Sequence, residues 1–201
     1  MRRNRIAVVV VAALSAAPAG AQIVTEMTPA TIAEAIAAGQ ADKKAGMHFL
    51  KTKGIVVGFF TTPFSRVASA AQHAKALYKP FSEADVTPDM TVPQLEVFAG
   101  SVAVSSPLPP GVGNVEAVLI MPKGAKDVSM AIHPAKTSEV SEEYKNLMGA
   151  SLNGKSINAV FPLDVLKPGR EIVVIYDRIV GHDYLSKCTE CRVELDLKGV
   201  R

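Results

Sequence analysis

From Pro93 onward the chain breaks into short apolar runs separated by turn formers, and this punctuation limits its fold more than any other feature. Candidate strands fall at 94–104, 115–121, 128–133, 156–161, 171–179 and 191–198. Between them stand "SSPLPPGVGN", "PKGAKD", "HPAKTS", "NG" and "LKPG". Proline fixes φ and lacks an N–H donor, while glycine and asparagine accept turn conformations, so each cluster interrupts a strand ladder. Strands joined by turns rather than by helices pair antiparallel. Along "VELDL", Val193, Leu195 and Leu197 alternate with Glu194 and Asp196, as a strand with one wet face requires. "IVVIY" is apolar throughout, which suits the middle of a sheet. The expected fold is therefore mainly β, an antiparallel β-sandwich of immunoglobulin-like type with an N-terminal helical segment; an α+β arrangement is the alternative.

The region before Pro93 has a different texture. In "MTPATIAEAIAAGQADKKAG", Thr28 offers an N-cap, Pro29 suits the first helical position, and Gly46 offers a stop. "TTPFSRVASAAQHAKALYKPF" repeats the device with Thr62 and Pro63. Phe64, Val67, Ala71, Ala74 and Tyr78 then form a stripe at helical spacing, with Arg66, Gln72 and Lys79 outside it and Pro80 as the terminator. "GIVVGFF" between the two helices reads as a buried strand. These features divide the chain into residues 1–21, a helical segment 22–92 packed on the sheet, and a β-domain 93–201.

Residues 1–21 have the make-up of an export signal. Arg2, Arg3 and Arg5 precede the apolar stretch Ile6 to Leu14, and Ala19-Gly20-Ala21 supplies small residues for cleavage. The apolar stretch is shorter than the roughly 20 residues a membrane span needs. A periplasmic or secreted location is expected, with no membrane span in the mature chain. Of the 22 basic and 19 acidic residues, three arginines and no acid lie in residues 1–21. The mature chain is thus balanced at 19 of each sign, and no basic surplus recommends a nucleic-acid partner.

"GASLNGKS", Gly149 to Ser156, matches the phosphate-binding template G-x-x-x-x-G-K-[ST]. That loop needs an apolar strand before it and a helix opening at its lysine. "SEEYKNLM" precedes it and "SINAVFPL" follows, so neither requirement is met. Asn153-Gly154 reads instead as a two-residue hairpin turn. The chain lacks G-x-S-x-G, S-x-x-K, H-E-x-x-H and an EF-hand loop.

The densest group of reactive residues is "YDRIVGHDYLSKCTECRVELDL", 176–197, which holds both cysteines. Cys188 and Cys191 have C-x-x-C spacing, but Arg192 stands where covalent haem attachment requires histidine. A thioredoxin-like centre places its first cysteine at a helix start, whereas "RVELDL" alternates as a strand. In an oxidising compartment a single pair forms a disulfide. Residues i and i+3 of an extended strand lie about 10 Å apart, beyond the roughly 7 Å that a disulfide spans. The expectation is a disulfide closing a turn, with the last strand starting near Arg192. His182 and Asp183 sit in the preceding loop, and with His133 they form the candidate binding or metal group. The expected function is an exported, non-enzymatic binding, scaffold or envelope-associated module, contacting an unknown protein or small ligand and needing no cofactor. The alternative is a secreted metal-binding protein or metal-dependent enzyme holding zinc or copper on His182, Asp183, Cys188 and Cys191.

Overall fold

The computed structural model describes residues 23–41, 46–50, 56–101, 112–113, 115–122, 124–145, 151–166, 170–175, 179–180 and 190–195. In chain order they form α1 (Pro29–Ala41), β1 (His48–Leu50), β2 (Val56–Thr61), α2 (Pro63–Ala76), α3 (Pro88–Thr91), β3 (Gln94–Ser101), β4 (Val112–Gly113), β5 (Ala117–Pro122), β6 (Lys136–Lys145), β7 (Ser151–Pro162), β8 (Arg170–Ile175), β9 (Ile179–Val180) and β10 (Glu190–Glu194). The result is a mixed helix and strand protein built on antiparallel sheets. Five strands run in the order β1-β2-β3-β7-β6, three in the order β10-β8-β5, and β4 pairs with β9. β8 lies between β10 and β5, the central place that its apolar sequence predicts.

Both larger sheets feed one apolar cluster. Phe60, Leu95, Val97, Ala99, Ile157, Ala159 and Phe161 come from the five-stranded sheet, and Val118, Ile120, Ile172 and Val193 from the three-stranded one. Val193 and Leu195 are buried as their alternation predicts. α1 and α2 form a second cluster with Ala35, Ile36, Phe64, Val67 and Ala71, joined by Val24, Met27, Ile32, Phe81, Val86 and Met90. The strands of the N-terminal segment enter the main sheet, where β2 pairs with β3 from Val56↔Ser101 to Thr61↔Glu96.

The helix starts follow the sequence. Thr62 Oγ1 accepts from the Ser65 N–H at 3.2 Å, and Ser65 Oγ accepts from the Thr62 N–H at 2.8 Å. This reciprocal cap satisfies two donors that a helix start would otherwise leave open. At the other end, Tyr78 N–H donates to Lys75 O and Lys79 N–H to Ala74 O. These two hydrogen bonds close α2 as a Schellman cap with Tyr78 in the left-handed region at φ 57°. The position normally belongs to glycine, which has no Cβ to clash there.

Three expectations need correction. Residues 128–133 do not form a strand: Val128–Met130 is a 3-10 turn, followed by one bridge between Ile132 and Ile120. Asp127 Oδ1 accepts from the Ser129 N–H at 2.8 Å, a local bond that competes with strand pairing. Asn153 and Gly154 are not a turn but lie inside β7, opposite Glu143 and Glu142. The polar run "KTSEVSEEYK" is itself a strand, β6, at the edge of the sheet. An edge strand exposed on its surfaces needs no apolar alternation, so its sequence carries no strand period. Finally, the described part of "GIVVGFF" is not buried on both faces. Phe60 is in the core while Val57 is exposed.

Candidate functional site

Of the residues singled out in the sequence, His133 and Cys191 lie among the described residues. His133 is exposed beside Pro134, just after the bridge at Ile132. Cys191 lies in β10, opposite Val174 of β8. The last strand starts at Glu190, two residues before the expected start at Arg192, so Cys191 stands within the ladder rather than ahead of it. Cys188, His182 and Asp183 lie outside the described residues, and with them the expected disulfide. Among the described residues no three His, Cys, Asp or Glu side chains converge as a metal site. No helix of the described residues is long and apolar enough to cross a membrane.

The phosphate-loop match resolves into β-structure. Lys155 is in the middle of β7 and no helix opens there. Its Nζ lies 3.0 Å from Glu139 Oε2 and 3.2 Å from Glu116 Oε2. The bonds to Glu139 and then Glu116 hold its pKa above the ordinary lysine value. A lysine neutralised by two carboxylates is a poor phosphate ligand. This one instead ties residue 116 to the β6–β7 pair, beside the Val115 N–H bond to Lys155 O at 3.1 Å.

Arg66, expected on the outer face of α2, turns inward. Its Nε donates to Met90 O at 3.3 Å, one Nη to Val92 O at 2.6 Å, and the other to Gln94 O and Glu96 Oε1 at 3.2 and 3.3 Å. Burial lowers its pKa, while Glu96 and Asp89 oppose that shift. The planar fork suits four acceptors at once, and it fastens α2 to α3, to the link after it and to the start of β3. This is a structural clasp that engages four of the five guanidinium donors within the protein.

The surface with contact chemistry is the outer face of the five-stranded sheet. Side chains alternate along a strand, so the residues between buried Leu95, Val97 and Ala99 point away from the core. The register places Phe49, Phe59, Phe98, Asn158 and Ser138 in one row across all five strands. Phe59 and Phe98 stack at 4.9 Å with 22° between their planes. The Phe98 ring also covers Gly100, where an added Cβ would meet Cε1 at 2.6 Å. A side chain at position 100 would have to displace that ring. At the β1 end of the row Phe49 is 75% exposed, with Val57 46% exposed in β2. The aromatic count is low, seven Phe and four Tyr in the chain, yet three phenylalanines share this row. In sequence they are far apart, and only the pairing register reveals them as neighbours.

A second surface feature lies at the far end of the helical pair. Gly39, Gln40, Ala41, Gln72, Lys75 and Tyr78 line an open groove of about 510 Å³. Lys75 Nζ bonds Gln40 O across it, and Tyr78 beside it is 98% exposed.

Comparison with protein families, curated proteins and solved structures yields no match for this chain.

Proposed function

We propose that the protein is an exported, non-enzymatic binding or scaffold module of the periplasm or secreted space, which contacts a protein partner through the outer face of its five-stranded sheet. The observation that carries this reading is the row of Phe49, Phe59 and Phe98, with Phe49 left 75% exposed at its end. Large exposed aromatics set on a rigid sheet are costly in water and are the residues that anchor interfaces. Export rests on the leader-like residues 1–21. We further read the two larger sheets as a β-sandwich, on the strength of the apolar cluster they share.

Site-specific photo-crosslinking in intact cells tests the reading. A photoreactive residue at position 49 should give discrete protein adducts, whereas one at exposed Asp164 should give none. Absence of adducts at 49, or the same adducts at both positions, overturns it. Metal analysis of the purified mature protein tests the non-enzymatic part. One zinc or copper bound per chain would favour a metal site built on His182, Asp183, Cys188 and Cys191.

A further inference from the structure

The edge of the sheet opposite Phe49 is β6, and its backbone offers a pairing surface. β6 has one hydrogen-bonded neighbour among the described strands, β7. Ten consecutive register pairs join them, from Lys136↔Val160 to Lys145↔Ser151, without a bulge. "KTSEVSEEYK" contains neither proline nor glycine, and residues 136–141 are all exposed. Among the described residues, charge is the one device present of those that usually blunt a sheet edge. The question is which partner strand that charge pattern admits.

Two copies related by a two-fold axis pair antiparallel only when one residue stands opposite its own copy. Centring on Glu139, Glu142 or Glu143 opposes each glutamate to itself. Centring on Ser141 opposes Glu139 to Glu143. Centring on Val140 pairs residues 136–144 with no like charges face to face: Glu139 meets Ser141, Ser138 meets Glu142, Thr137 meets Glu143, and Lys136 meets Tyr144. Lys136 then lies diagonally from Glu142 of the second copy, within reach of an attractive cross-strand contact. Glu139 lies diagonally from Glu139 and Glu143 of the second copy, a repulsion tempered by its own ion pair with Lys155 at 3.0 Å. Val140, 51% exposed in an otherwise polar strand, is covered by its own counterpart.

We propose that β6 is a self-association edge, joining two copies of the chain into one continuous antiparallel sheet centred on Val140. Of the registers centred from Glu139 to Glu143, this alone keeps like charges from facing each other, and it pairs nine residues where centring on Ser138 pairs five, so the glutamates that deter random edge pairing also narrow the alignment. The proposal is independent of the partner reading for Phe49, because β1 and β6 are opposite edges of the sheet.

Cysteine substitution at the centre tests it on the full mature chain. Val140→Cys should form an intermolecular disulfide on mild oxidation, located by peptide mapping as 140 to 140. Ser138→Cys should not link to itself, since position 138 faces 142. Wild-type protein should sediment as a reversible monomer–dimer mixture. Val140→Glu should weaken dimerisation at least tenfold, with circular dichroism and melting of the monomer unchanged. A strictly monomeric wild type, a dimer unaffected by Val140→Glu, or equal linking at 138 and 140 would overturn the proposal.

Discussion

Between α1 and α2 the backbones approach so closely that a Cβ on Gly39 would stand 2.1 Å from the Ala68 carbonyl oxygen, whereas the described side chains of β6 face solvent. The first region is locked by van der Waals contact and by the Arg66 clasp. The second is held by a single ladder and three surface charges. The helix pair is therefore closely seated, while the β6 edge is held by one neighbouring strand among those described. If that contrast is sound, equal chemical changes should have very unequal costs. The largest should fall on Gly39. Gly39→Ala gains about 1 kcal/mol of helix propensity but drives a methyl into backbone that cannot yield. A net loss of about 3 kcal/mol is expected, read as a lower urea midpoint. A neutral outcome would show that the two helices are not tightly seated.

Arg66 comes next. Arg66→Met keeps the apolar stem and leaves the Met90, Val92 and Gln94 carbonyls without their shared donor. With the clasp mostly buried, the loss should be about 2–3 kcal/mol. Arg66→Lys should recover only part of it, because a point charge cannot reach the same acceptors in one geometry. Full rescue by lysine would mean that charge opposite Glu96, rather than the fork, holds the segment.

The helical end also explains what could be read in advance. Thr28-Pro29 and Thr62-Pro63 announced both helices because capping is local chemistry, written within four residues. The inward turn of Arg66 was invisible, since its acceptors lie 24 to 30 positions away. β8 and β10 were legible from apolar content and alternation. β6 was not, because an exposed edge strand imposes no period on its sequence. Asn153-Gly154 has the composition of a hairpin turn, but pairing with Glu143 and Glu142 keeps it in the ladder. The aromatic row depends on register between strands remote in sequence, so neither its members nor their exposure could be inferred from the residues alone. The Cys188 and His182-Asp183 expectations fall on residues outside those described.

Tyr78 sharpens the comparison from the other side, since it is the one described non-glycine residue with positive φ. Its side chain is almost wholly exposed, so replacing it sacrifices little packing. Tyr78→Gly relieves the left-handed strain at the Schellman cap and should stabilise the protein by about 1 kcal/mol, measured as a higher melting temperature. A loss of stability would show that the ring packs against the groove in solution.

The smallest effect belongs to Lys155, on the loosely held side. Its partners Glu116 and Glu139 are 40% and 52% exposed, so solvent and salt screen both pairs. Lys155→Met should cost no more than about 1 kcal/mol at neutral pH, and less in high salt. The sign of its pH dependence is fixed by the raised folded pKa. The contribution is complete below the unfolded lysine value of about 10.4 and is lost as pH climbs through the higher folded value. Wild type and Lys155→Met should therefore differ by a constant amount around neutrality and converge in strongly alkaline solution. Urea titrations of the two proteins across that range give the comparison directly. If the variant instead lost as much stability as Arg66→Met, with no response to salt, the β6–β7 edge would be as firmly built as the helical end.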